Sequence, residues 1–238
     1  MEPLDLAALW GRSEPLSGGR GTARVCAVDG RRAVVKRESR GGLSRRLLPD
    51  LFLCRRPFQH EFHLMERLNV LGLSPRPLGR QFVRKGALFA AYTLLEYAEG
   101  ARSLAQLWKE GHLDAAALAR AGRGAARLHR AGAVHGDLNA GNLLLADQGE
   151  ALFLDLRHSR LRPRPASPAG RRRNLLRLAR SLHKIRKISG LPWPCGTWEA
   201  LASGYAEGWG EAEAWLAPWA ERCARGFPLR SLWWRTAR

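Results

Sequence analysis

The sequence predicts an α+β fold in two unlike halves, and three observations carry that prediction. Short strand-like runs with one amphipathic helix among them fill roughly the first hundred residues, helical patterns dominate the rest, and the change falls near Tyr97 to Ala101. We therefore expect a small antiparallel sheet plus one helix over residues 1–97 and a mainly helical unit over 98–238.

The first strand pair is the clearest. Gly18-Gly19-Arg20-Gly21 turns into the run Thr22 to Val28, Asp29-Gly30 is a hairpin turn, and Arg32 to Lys36 returns as a second strand ending in lysine. A basic stretch follows. Phe58, Phe62, Met65 and Leu68 then recur at helical spacing, with Pro57 at the helix start and Gly72 near its end. Ala87 to Glu96 is an apolar strand after a Lys85-Gly86 turn. Beyond the junction, Leu104 to Trp108 and Ala115 to His129 read as helices, the second interrupted by Gly122 and Gly124. Residues 160–170 read as a loop, and Arg171 to Lys187 as a helix with Leu175, Leu178, Leu182 and Ile185 on one stripe.

Composition narrows the function classes. Hydrophobic residues make up 45% of 238, enough for a substantial core. The cysteines at 26, 54, 195 and 223 have no metal-ligand spacing and suggest no disulfide framework, which fits a reducing, cytoplasmic setting. The first residues read as neither a secretory signal nor a transit peptide, and no run of about 18 apolar residues occurs, so any membrane contact is expected to be peripheral. A net charge of +19 favours polyanionic partners: nucleic acid, anionic lipid or a phosphorylated substrate. No nucleic-acid-binding motif accompanies the charge, so no specific nucleic acid is expected.

Chemistry is concentrated in "AVHGDLNAGNLLL", residues 133–145, and in "ALFLDLR", residues 151–157. Asp137 and Asn142 are five positions apart, and Asp155 follows Asn142 by 13. The apolar runs between them read as a hairpin, which would bring Asn142 and Asp155 to one end. An amide oxygen and a carboxylate there suit a hard cation such as Mg²⁺, leaving Asp137 to accept a proton. Each residue alone has a plain reading as a turn or cap. Their joint order and spacing set them apart.

These residues resemble the catalytic machinery of the protein-kinase-like two-lobed fold, in which an HxDxxxxN loop precedes a metal-binding Asp. The resemblance implies that Lys36 is the phosphate-gripping lysine and Glu61 its helical partner, with Glu66 a competing candidate on the same helix. It further implies that Gly19 and Gly21 belong to a glycine loop, and that Leu95 to Tyr97, including Glu96 and Tyr97, form the adenine-reading hinge. Gly136 and Asn139 replace the arginine and lysine usual in protein kinases, Asp155-Leu156-Arg157 replaces DFG, and no APE follows. Small-molecule kinases are the better comparison.

The strings "GRGTARV", "KRESRGGL", "HGDLNAGNLLL", "LFLDLRHSRLR" and "RRNLLRLARSLHK" make the chain similar to the lipopolysaccharide core kinases, particularly those acting on 3-deoxy-D-manno-octulosonic acid (Kdo). This implies transfer of the ATP γ-phosphoryl group, with Mg²⁺, to the 4-OH of Kdo on a lipid A precursor. A heptose kinase, a soluble aminoglycoside-type phosphotransferase and a basic nucleic-acid-binding module are the alternatives. Such an acceptor lies in an anionic surface, so the chain is expected on the cytoplasmic face of the inner membrane. Seven of the nine tryptophans follow residue 190, including Trp233-Trp234, and read either as a lipid-facing anchor or as packing between C-terminal helices.

Overall fold

The computed structural model describes residues 4–16, 22–39, 50–146, 151–211 and 213–226. The predicted glycine loop at Gly19 and Gly21, the turn at 147–149 and Trp233-Trp234 lie outside them. Backbone contacts divide the chain into two compact units, Met1–Glu99 and Gly100–Arg238.

In the first unit a short helix α1 (Leu6–Arg12), capped by Asp5, precedes the strands β1 (Glu14–Pro15), β2 (Ala23–Val28) and β3 (Arg31–Arg37). Asp29 and Gly30 both adopt positive φ, as a tight β2–β3 hairpin requires. Helix α2 (Arg56–Asn69) and the strands β4 (Pro77–Lys85) and β5 (Leu88–Glu96) complete the unit. The five strands pair antiparallel in the order β1-β2-β3-β5-β4.

The apolar run of β5 is explained by burial on both faces. Ala90, Tyr92 and Leu94 pack with Leu6 and Leu9 of α1, while Phe89 and Ala91 pack with Phe58 of α2 and with Phe52. The sequence pattern hid α1 and β4. Seven residues are too few for a helical period, and β4 reads PLGRQFVRK, a polar edge strand with a bulge at its proline end.

The second unit begins with β6 (Arg102–Ser103) and α3 (Leu104–Lys109), joined by a capping box in which Ser103 and Gln106 satisfy each other's amides. Next come α4 (Ala115–Arg130), β7 (Ala133–Val134), β8 (Leu143–Leu145), β9 (Ala151–Phe153) and β10 (Arg160–Leu161). Helices α5 (Pro168–Ser189), α6 (Thr197–Trp209) and α7 (Leu216–Arg225) follow. The predicted loop at 160–170 is shorter than expected. Arg160 and Leu161 pair with Val134 and Ala133, and α5 starts at Pro168 behind a Ser167 cap, a Ser-Pro start that the surrounding prolines masked.

The leucine stripe of α5 faces the core, with Leu175, Leu178 and Leu182 fully buried. The tryptophans of this unit's C-terminal helices also pack: Trp198 and Trp219 are buried, and the Trp193 ring lies 4.8 Å from those of Trp108, His183 and Trp198.

Glycine does not interrupt α4; it permits α6 to approach. A Cβ on Gly122 would stand 2.2 Å from the Leu201 carbonyl oxygen, and one on Gly204 would stand 2.0 Å from that of Ala119. Backbone cannot yield as a side chain can. We predict that Gly204→Ala lowers stability by about 2 kcal/mol or more. Gly11→Ala, at a helical position with nothing within 4 Å, should be neutral or stabilising by about 0.5 kcal/mol. Urea denaturation of both variants checks the opposite signs.

Candidate active site

The chemistry-bearing loop joins β7 to β8, and three hydrogen-bond sets define its shape. Asn174, fully buried on α5, accepts from the His135 amide at 2.9 Å and donates to the His135 carbonyl at 2.7 Å, so one side chain satisfies both backbone groups. His135 in turn accepts from the Asp137 amide at Nδ1 (3.0 Å) and donates from Nε2 to the Leu154 carbonyl (2.8 Å). Burial lowers the His135 pKa, and these partners require the neutral ring: it is a strut between the loop and the strand leading to Asp155. Asn139 closes the third set, donating to the Asp137 carboxylate at 3.0 Å and accepting from the amides of Gly141 and Asn142 at 2.8 and 3.2 Å.

Asp137, Asn142 and Asp155 are brought together through the backbone. The Asn142 amide group donates to the Asp137 carbonyl at 2.9 Å, which leaves Oδ1 as its acceptor. Leu143 pairs with Phe153, and the Leu154 amide bonds to the Asn142 carbonyl at 2.9 Å, so Asp155 begins where the β8–β9 ladder ends. Asp155 adopts φ +57°, a left-handed conformation that Asp tolerates better than most residues but that still costs about 1 kcal/mol. Its carboxylate is 41% exposed, and Arg157 stands 3.9 Å from it. Asn142 and Asp155 thus offer an amide oxygen and a carboxylate oxygen, a donor set that fits Mg²⁺, which takes one or two protein oxygens and completes its shell with phosphate and water.

The Asp155 segment also packs directly on the loop. A Cβ on Gly136 would come within 2.4 Å of the His158 carbonyl, and the Gly136 amide donates to Ser159 Oγ at 3.0 Å. Glycine therefore stands after His135 because backbone occupies the space a side chain would need.

In the first unit, Lys36 lies opposite Thr93 in the β3–β5 ladder, and its amine is 3.2 Å from the buried carboxylate of Glu38. Thr93 donates to Glu38 at 3.1 Å and accepts from Arg80 at 2.8 Å, and Arg80 lies 3.4 Å from Glu61. Glu61 is fully buried, whereas Glu66 is exposed and pairs with His63, so Glu61 is the acid that α2 turns inward. The amides of Glu96 and Tyr97 bond to the carbonyls of Arg76 and Arg32 at 2.9 and 3.3 Å. Glu38 was missed in the sequence, although it shares a strand face with Lys36, two residues earlier.

The sequence reading also missed Arg177. Its guanidinium donates to the Gly136 carbonyl and lies 3.3 Å from the Asp137 carboxylate, which is 57% exposed. The signal was the three-residue spacing from Asn174, which places both on one face of α5.

The α+β elements and this site suit a protein-kinase-like phosphotransferase acting on an alcohol group, and it is the family match and named relatives that establish that class. Comparison with known proteins narrows this. The lipopolysaccharide kinase (Kdo/WaaP) family matches residues 13–205. A 3-deoxy-D-manno-octulosonic acid kinase of Xylella fastidiosa (strain M23) is 38% identical over 218 residues, covering 87% of this chain and 85% of its own. Enzymes of the same name from Stenotrophomonas maltophilia (strain K279a) and Xanthomonas oryzae pv. oryzae (strain PXO99A) are 39% identical over 194 residues and 38% over 218. They cover 74% and 84% of this chain, and 73% and 82% of their own. The chain belongs to the lipopolysaccharide kinase (Kdo/WaaP) family.

A second buried ring supports Asn174. His129 shares Asn174 Oδ1 at 3.0 Å through Nε2 and meets the Tyr205 hydroxyl at 3.0 Å through Nδ1. Burial lowers its pKa from 6.5 to about 4. The unfolded chain therefore takes up a proton near pH 6.5 that the folded chain refuses until about pH 4, so this contribution to stability is complete above pH 6.5 and lost on acidification. We predict a loss of about 3 kcal/mol from His129 over that window. Histidine NMR of the native protein should show its ring still neutral at pH 5, and urea midpoints should fall from pH 7 to pH 4.5.

Proposed function

We propose that the chain transfers the γ-phosphoryl group of ATP to the 4-hydroxyl of a Kdo residue on a lipid A precursor. The observation that carries the chemistry is Asp137, an exposed carboxylate whose backbone is held by His135 and whose side chain is oriented by Asn139. Enzymes named 3-deoxy-D-manno-octulosonic acid kinase, similar over most of the chain, support the acceptor.

In this reading the division of labour follows 1–97 for nucleotide and 98–238 for transfer. Asp137 orients the acceptor hydroxyl and takes its proton. Lys36 grips the α- and β-phosphates with Glu38 at its amine, and Glu61 helps to orient it through Arg80, Thr93 and Glu38. The segment at Glu96 and Tyr97 reads the adenine edge. Asn142 and Asp155 hold Mg²⁺, which when bound neutralises charge developing on the phosphate oxygens.

Incubation with labelled ATP, Mg²⁺ and, in parallel, a Kdo-bearing lipid A precursor, a heptose-bearing core or an aminoglycoside tests the acceptor. Label is expected in the Kdo lipid, at O4 by NMR of the product; label only in another acceptor overturns this choice. Asp137→Ala should lower kcat by about 1,000-fold or more while ATP·Mg²⁺ affinity changes little.

The charge of +19 and the exposed basic face of α5 favour a peripheral seat on anionic lipid, on the cytoplasmic side of the inner membrane. No helix among the described residues is long and apolar enough to cross a membrane. We expect the protein to float with phosphatidylglycerol vesicles at low salt, to release near 0.5 M NaCl and to ignore neutral vesicles. Equal binding to neutral vesicles would refute the electrostatic seat.

A further inference from the structure

The loop that carries Asp137 has no cation of its own. From Ala133 to Ala146 the sequence contains neither lysine nor arginine. A phosphoryl group in transfer spreads negative charge over its outer oxygens, and in this loop it would meet the exposed carboxylates of Asp137 and Asp155. Mg²⁺ held by Asn142 and Asp155 would offset the second of these carboxylates, and the like charge at Asp137 opposes the reaction unless a positive group lies beside it.

Helix α5 supplies one. Arg177 Nη1 makes both contacts to the loop, with the Gly136 carbonyl and with Asp137 Oδ1. A guanidinium also carries donors on Nε and Nη2, and the Arg177 side chain is 43% exposed. Arg157, beside Asp155, is only 13% exposed. The position of Arg177 is well determined because Asn174, one turn earlier, is bonded to the backbone of His135.

We propose that Arg177 is a catalytic residue that binds the transferring phosphoryl group while holding the Asp137 carboxylate beside it. The proposal rests on the phosphotransfer role of Asp137 given above. In the step, the acceptor hydroxyl oxygen forms the new bond to the γ-phosphorus. The bond from that phosphorus to the β–γ bridging oxygen breaks, its electron pair leaves with ADP, and the hydroxyl proton passes to Asp137. Arg177 stays protonated throughout, and its planar fork can serve a carboxylate and a phosphoryl oxygen together, which a lysine amine does less well.

The competing view is that Arg177 only pins the Gly136 carbonyl. Arg177→Gln retains hydrogen-bonding capacity without charge, and Arg177→Lys retains charge without the fork. Binding of ADP·Mg²⁺ is compared with binding of ADP·Mg²⁺ plus aluminium fluoride, which mimics the phosphoryl group in flight and needs no sugar. The parent should prefer the fluoride complex. In Arg177→Gln that preference should fall roughly 100-fold, with ADP affinity within about threefold, and kcat should fall in parallel. Arg177→Lys should lie between, and Tm should move by less than about 3 °C in either variant. A parent without the preference, a Gln variant that keeps it, or a loss shared equally by ADP alone overturns the assignment. Failure of the Kdo reading looks different: the parent labels no Kdo lipid, yet the fluoride preference still depends on Arg177.

Discussion

The second unit is organised around one buried amide. Asn174 satisfies the donor and the acceptor of the His135 backbone and, on the same oxygen, the ring of His129. Buried polar groups left without partners cost about 1–3 kcal/mol each, so a single side chain settles three such debts. The consequence is positional: the loop bearing Asp137 cannot shift along α5 without opening both of its bonds to Asn174, whose oxygen is tied to His129 of α4 as well. His135 passes the constraint on to Leu154 and thus to the link between β9 and Asp155.

That arrangement explains a division between rigid and exposed groups. His129, His135 and Asn174 are buried and hold shape, whereas Asp137, Asp155 and Arg177 remain accessible for chemistry. The first unit repeats the pattern, with Glu38, Thr93 and Glu61 buried around Arg80 beneath the strand that presents Lys36. In both units exposed charge is backed by polar groups that have already given up water, an arrangement that limits reorganisation around it.

Close backbone approach recurs as the means of assembly. Gly122 and Gly204 let α4 and α6 touch, and Gly136 lets the His158 backbone lie on the loop that carries Asp137. In the sequence Gly122 looked like an interruption and Gly136 like a substitution. In the structure they are the places where two backbones occupy the volume of one side chain.

Elements with a strong local period and residues in a strong local motif could be read directly from the chain. The β2–β3 hairpin, α2, α4, the β8–β9 pair and the order Asp137, Asn142, Asp155 were all legible, because turn chemistry, amphipathic spacing and a dense polar string are properties of neighbours along the chain. Only the tertiary structure decided which distant groups meet them. Asn174 beneath His135 and Arg177 beside Asp137 join residues that have no periodic signal relating them, and both pairs span about forty positions. The physical reason is that such pairing depends on where α5 crosses the loop. That crossing is set by what the stripe of Leu175, Leu178 and Leu182 packs against in the core; the local period shows the stripe and not its partner.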